Sequence, residues 1–155
     1  MPAPISTASI FKSLKIIHMA LVIGLVVFGI FVYQDKGEFI AEFDQSNPFT
    51  FIVPIVAIIG YFASLYLFRL RTSKIERSQN LKEKLTAYQS ASITKYACIE
   101  APALFGFISY FLSGGALFLV IALCMTAYLM VQRPTIPKLK EQIPLTPEEI
   151  RELEN

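Results

Sequence analysis

Charge is scarce in this chain. Asp, Glu, Lys and Arg make up 17% of its 155 residues, against about 25% in soluble domains, which excludes a soluble enzyme built on one core. Two cysteines are too few for a disulfide scaffold or a structural zinc site. A single histidine supplies neither a metal-ligand set nor, with the carboxylates at hand, a recognised nucleophile-and-base spacing. No glycine-rich loop of the kind that cradles phosphates is present. Tryptophan is absent. The net charge of +2 excludes a nucleic-acid binder that relies on overall basicity, and no cofactor or metal is expected.

What the chain does have is apolar sequence in blocks. By the count that includes Ala, Tyr and Cys, 54% of residues are hydrophobic and the mean hydropathy is +0.53. The blocks run about 16–33, 49–68, 96–113 and 116–131, each near the roughly 17–25 residues that carry a helix across a hydrocarbon layer. An all-α membrane protein follows, with four transmembrane helices in residues 1–133 and a tail at 134–155. The short pieces outside the spans could not bury a core of their own.

Orientation comes from the bases. Lys12 and Lys15 precede the first block, seven bases from Arg69 to Lys95 lie between the second and third, and Arg133, Lys138, Lys140 and Arg151 follow the fourth. Thirteen of fourteen are thus on one side, and only Lys36 is on the other. The positive-inside rule then places both termini and the central polar segment of a multi-pass protein in the cytoplasm. The first block lacks a small-residue cleavage site, so it is expected to be a span and the sequence mature from Met1. Cys98 and Cys124 fall inside spans and are expected to pack.

Outside the spans, apolar residues at helical spacing (Leu81, Leu85, Tyr88, Tyr96) predict an amphipathic helix over about 81–95. It should run into span three with its lysines on the opposite face. It is either a stalk against the bundle or headgroups, or a docking surface for a partner that would use Lys82, Lys84 and Tyr88. In the tail, Thr146 can cap a helix that Pro147 opens, Glu149 can complete the reciprocal cap, and Leu145 can staple to Ile150. About two turns of helix are marginal alone, so the tail should dock, on the basic central segment or on another protein. On the opposite side Gly37 to Phe43 suggests a surface-lying turn of helix, and Asn47-Pro48 a start for span two.

His18 and Glu100 are the ionisable side chains that the spans enclose, tyrosines apart. Both lie a turn or so from the cytoplasmic end, so the two could meet. Sliding the chain by 82 residues sets His18 on Glu100, Gly24 on Gly106 and Phe28 on Tyr110, which suggests a parallel repeat of two hairpins. Pro102 should kink or loosen span three beside Glu100 by removing the bond to the Cys98 carbonyl, and Pro54 should act likewise in span two. An acid beside a freed carbonyl suits a proton or ion site. Glu100 could equally snorkel to the interface or serve as structural glue. The small-residue spacings Ala20 to Gly24, Gly60 to Ser64 and Ser109 to Ser113 predict close helix contacts.

Ile99-Glu100-Ala101-Pro102-Ala103-Leu104-Phe105-Gly106 resembles the acidic helix of rotary ATPase proteolipids (subunit c), and four spans resemble their double-hairpin form. The chain departs from that family in lacking its glycine-repeat helix, in placing the acid on the first helix of a hairpin, and in its orientation. Along nearly its whole length the sequence is similar to small four-span inner-membrane proteins of Bacteroidetes-type bacteria. The likeness rests on the span-one histidine, Lys82-Glu83-Lys84-Leu85 with Tyr88, the Glu100–Gly106 run and Arg133-Pro134-Thr135. It implies an inner-membrane location and no activity.

Two functions stay open on the sequence. One is a non-enzymatic accessory or assembly subunit whose basic segment and tail contact other membrane proteins or a second copy of the chain. The other is a small proton- or cation-coupled transporter or channel component using Glu100 and His18. Small multidrug-resistance transporters also set a Glu among four spans, but the aromatic cage of that family is not visible here.

Overall fold

The computed structural model describes residues 7–41 and 44–154. Among them are six helices: α1 (Thr7–Lys36), α2 (Phe49–Thr72), α3 (Leu81–Ser113), α4 (Ala116–Val131), α5 (Ile136–Gln142) and α6 (Pro147–Glu154). The only β pairing among the described residues is an isolated bridge between Ile40 and Gly115. Three helices, in α1, α2 and α3, are long and apolar enough to cross a membrane, and a fourth if α4 and α5, which meet at 87°, count as one bent span. At 1.5 Å per residue the 16 residues of α4 reach about 24 Å, somewhat short of a hydrocarbon layer of about 30 Å.

The amphipathic segment and the third apolar block form one rod, because nothing between Leu81 and Ser113 breaks it. Asn80 starts it with a reciprocal cap: its Oδ1 accepts from the Glu83 amide at 2.9 Å, and its own amide donates to Glu83 Oε2 at 3.3 Å. Gly114 stops it by taking a φ of 72°, a left-handed turn that costs glycine nothing. The helix continues through Pro102, as α2 does through Pro54.

α3 is the axis of the bundle, with α1, α2 and α4 packed around it and little contact between α1 and α2. Two repeated hairpins would pair α1 with α2 as closely as α3 with α4, and this bundle does not. α1 turns only a narrow stripe inward: Leu14, His18, Leu25, Gly29 and Val32 are buried, while Ile23, Val27, Ile30 and Phe31 are more than half exposed. α2 does the same with Val53, Ala57, Ser64 and Phe68 inside, and Ile55, Ile58, Ile59 and Phe62 outside. Such broad outward apolar faces suit lipid and not water.

Glycines set the closest crossings. A Cβ at Gly60 would lie 2.5 Å from Pro102 Cγ and 2.6 Å from the Cys98 carbonyl oxygen, so α2 meets α3 where Pro102 has freed that carbonyl. Gly29 faces the Phe107 ring and Gly106 faces Phe118 and Ala122 of α4 in the same way. Ala20 and Gly24 make no such crossing: both are exposed, and a Cβ at Gly24 would meet nothing within 4 Å. Ser109 and Ser113 spend their hydroxyls on the carbonyls of Phe105 and Ser109 in their own helix.

Candidate functional site

Away from the basic end, the loop after α1 is drawn onto the α3–α4 turn. Gly37 takes a φ of 61° and ends α1. Ile40 then donates to the Gly114 carbonyl and accepts from the Ala116 amide, both at 2.9 Å, and the buried Tyr110 hydroxyl donates to the Glu38 carbonyl at 2.6 Å. A bridge therefore stands where a helical turn was expected. Its physical reason is that two helix ends left backbone groups that needed partners. Of the residues of that expected turn, Glu42 and Phe43 lie outside the described residues.

The structure separates the two polar groups of the spans. His18 is buried, its Nε2 lies 2.8 Å from the carbonyl oxygen of Leu129 in the last turn of α4, and its ring meets Tyr96 edge-on with centroids 5.0 Å apart. The Leu129 carbonyl also accepts from the Gln132 amide at 3.0 Å, and its second lone pair serves an imidazole N–H. Glu100, one turn further along α3 than Tyr96, is half-buried and has neither a hydrogen bond nor an ion pair among the described residues. The expected meeting of His18 and Glu100 does not occur, because the histidine is occupied across α1, α3 and α4.

The largest polar construction stands at the basic end. Lys84 is fully buried, and its Nζ donates to both carboxylate oxygens of Glu149 at 2.9 Å. Glu149 at the same time accepts from the Thr146 amide at 2.7 Å, and its own amide donates to Thr146 Oγ1 at 3.3 Å. It thus caps α6 and neutralises α3 in one position. Burial alone would push its carboxyl pKa up, but the bonds from Thr146 and Lys84 outweigh that and hold it below the ordinary range.

Neighbouring contacts extend the joint. Tyr88 donates to Gln142 Oε1 at 2.8 Å, Lys95 Nζ donates to Gln132 Oε1 at 2.6 Å and sits 4.7 Å over the Phe68 ring, and Arg71 bonds Thr94. Thr7 Oγ1 donates to Glu152 Oε1 at 3.0 Å, which brings the start of α1 to the tail. Ile75, Leu81, Leu85, Tyr88, Leu139 and Ile143 are buried together in a core continuous with that of the bundle. The pieces outside the apolar blocks bury jointly what none could bury alone, so residues 134–154 are less a separate tail than the closing layer of one fold.

Sequence reasoning placed the lysines of α3 on the outer face, and for two of them the structure corrects this. Lys84 and Lys95 lie on the inward face with Leu81, Leu85, Tyr88, Ser92 and Tyr96. The available signal was their register: Lys84 falls three and four residues from Leu81 and Tyr88, and Lys95 four from each of the buried Ala91 and Ile99. Lys82 is exposed, as is Glu83 beside it, and with Asn80, Thr86, Ala87 and Ser90 they line a shallow open cleft. Thr146 and Ile150 are half-buried. Of the residues proposed for docking, Lys84, Tyr88, Thr146 and Glu149 are thus engaged within the chain, and Lys82 remains at the surface.

No group of three His, Cys, Asp or Glu side chains that could hold a metal ion occurs among the described residues. Cys98 and Cys124 carry free thiols. The chain matches no family model, no curated protein and no solved structure.

Proposed function

We propose that this chain is a multi-pass protein of a bacterial inner membrane, with four spans and both termini cytoplasmic, and that it serves as a non-enzymatic accessory or assembly subunit. The observation that carries the reading is the buried Lys84–Glu149 pair, which fastens the C-terminal helix to the extension of α3. A folded platform on the basic side of the bundle is what a subunit needs to present a fixed surface. The surface it presents is the outer face of α3 around Lys82, Glu83, Thr86 and Ser90, with Lys74 and Arg77 close by in sequence. The short α4 suits a fourth span if the bilayer thins locally, which costs fractions of a kcal/mol per Å.

The test is purification of the tagged full chain from its native membrane in mild detergent. A fixed set of larger partners is expected, retained by Glu100→Gln and released by reversing charge at Lys82. A bare monomer or homo-oligomer would overturn the reading.

One observation favours a second reading. Glu100 is an unpaired carboxyl in an apolar segment, two residues before Pro102, and such groups mark ion or proton paths. A transport role for Glu100 would make proton or cation flux in vesicles fall with Glu100→Gln. Against it stands the occupied His18, which leaves Glu100 without the second group a relay needs.

A further inference from the structure

At the basic end α1 and α4 part slightly, and the opening between them is a cleft of about 240 Å³ lined by Lys15, His18, Met19, Val22, Met130 and Arg133. Its chemistry is graded along the helix axis. Lys15 and Arg133 are exposed at the mouth, and Met19, Val22 and Met130 form an apolar wall. Among the described residues no carboxylate lines it. Lys15 Nζ lies 4.8 Å over the Phe11 ring, so it is held at the mouth by its own helix without being neutralised. Lys138 Nζ donates to the carbonyls of Val131 and Arg133 at 2.7 and 3.4 Å, so it is spent on backbone at the end of α4. The floor is His18, fixed on Leu129.

We infer that this cleft binds one anionic phospholipid of the phosphatidylglycerol class. The phosphate would lie between Lys15 and Arg133, and an acyl chain would run over Met19, Val22 and Met130. Two cations above an apolar wall, at the level where a headgroup meets its tails, match an amphiphile with a single negative charge. A free phosphate would use only the mouth. α1 and α4 touch lightly, so a lipid seated here ties the first helix to the α4–α5 elbow and backs the His18 contact from outside. Juxtamembrane basic residues each favour anionic lipid by about five-fold, so the two together should give about 25-fold preference over a zwitterionic lipid of the same tails.

The inference rests on the placement of the bundle in a bilayer, and is independent of the partner role. The experiment is native mass spectrometry of the full chain released from nanodiscs of mixed phosphatidylglycerol and phosphatidylcholine, with inorganic phosphate as competitor. One retained phosphatidylglycerol is expected, unaffected by phosphate. Lys15→Gln and Arg133→Gln should each lower the preference by about five-fold. Equal retention of both lipids, displacement by phosphate, or undiminished preference in both variants would overturn it. Should either variant fail to fold, photoactivatable phosphatidylglycerol on the unaltered chain must label the segments around Met19 and Met130, and labelling elsewhere counts against the site. If no lipid of either kind is retained, the site is overturned; failure of the chain to enter nanodiscs at all would instead overturn the bilayer placement.

Discussion

The carboxylate of Glu149 accepts both oxygens' worth of Lys84, at 2.9 Å each, across 65 residues of sequence. Lys84 has no exposed side-chain surface and Glu149 keeps 14%, so the pair is enclosed on one side and wetted on the other. Removing one partner is costlier than removing both, because a buried ammonium without a counter-ion must be desolvated for nothing. Glu149→Ala should therefore destabilise the platform by about 2–3 kcal/mol, below the 3–5 kcal/mol of fully enclosed pairs because Glu149 still meets solvent. The double change Lys84→Met with Glu149→Leu should recover most of that loss. Thermal melts in detergent measure both, and a double variant less stable than the single one would contradict the account.

Acid should open the same joint. The folded-state pKa of Glu149 is depressed below its ordinary value of 4.5, so its contribution is complete above that value and is lost as pH falls through the lower folded one. Hydrogen exchange across 144–154 should be slow at neutral pH and become fast on strong acidification, while the spans stay protected. Protection of the tail that is indifferent to pH would mean the apolar contacts of Leu145 and Leu153 suffice.

His18 is predicted to act as a latch between α1 and α4. Phenylalanine keeps the edge contact with Tyr96 and removes the bond to the Leu129 carbonyl, a loss of about 1 kcal/mol for an interhelical bond in an apolar setting. Reversible unfolding in mixed detergent should register a small drop for His18→Phe. No drop at all would show that the 2.8 Å contact contributes nothing net.

Two glycines, one on α1 and one on α2, should respond differently to alanine. Gly60→Ala drives a methyl into Pro102 and the Cys98 carbonyl, both stiff, and should cost about 1–3 kcal/mol through forced separation of α2 and α3. Gly24→Ala enters open space and should be neutral or slightly stabilising. The same unfolding assay compares them, and equal effects would deny that Gly60 is a packing glycine.

Much of this molecule was legible in its residues. Long apolar blocks with no polar face suit helices in lipid, since no other open structure satisfies its backbone there, and the one-sided bases define an end. The punctuation of α6 was also readable, because Thr146, Pro147 and Glu149 act within four residues of one another and need no tertiary partner. Which side of each span turns inward was not legible, since a helix between a core and lipid is apolar on both faces and its period carries no signal. For that reason Ala20–Gly24 and Gly60–Ser64 read alike, and only the packing of α2 on Pro102 separates them. The fate of the polar groups was likewise a tertiary matter. His18 chose a carbonyl at the end of α4 over Glu100, and Lys84 and Lys95 went inside, because a distant Glu149 and Gln132 could meet them there. The sequence marked the apolar blocks that suit lipid and the start of α6; the long-range partners, each a polar atom that burial left needing one, decided how those helices close into a single body.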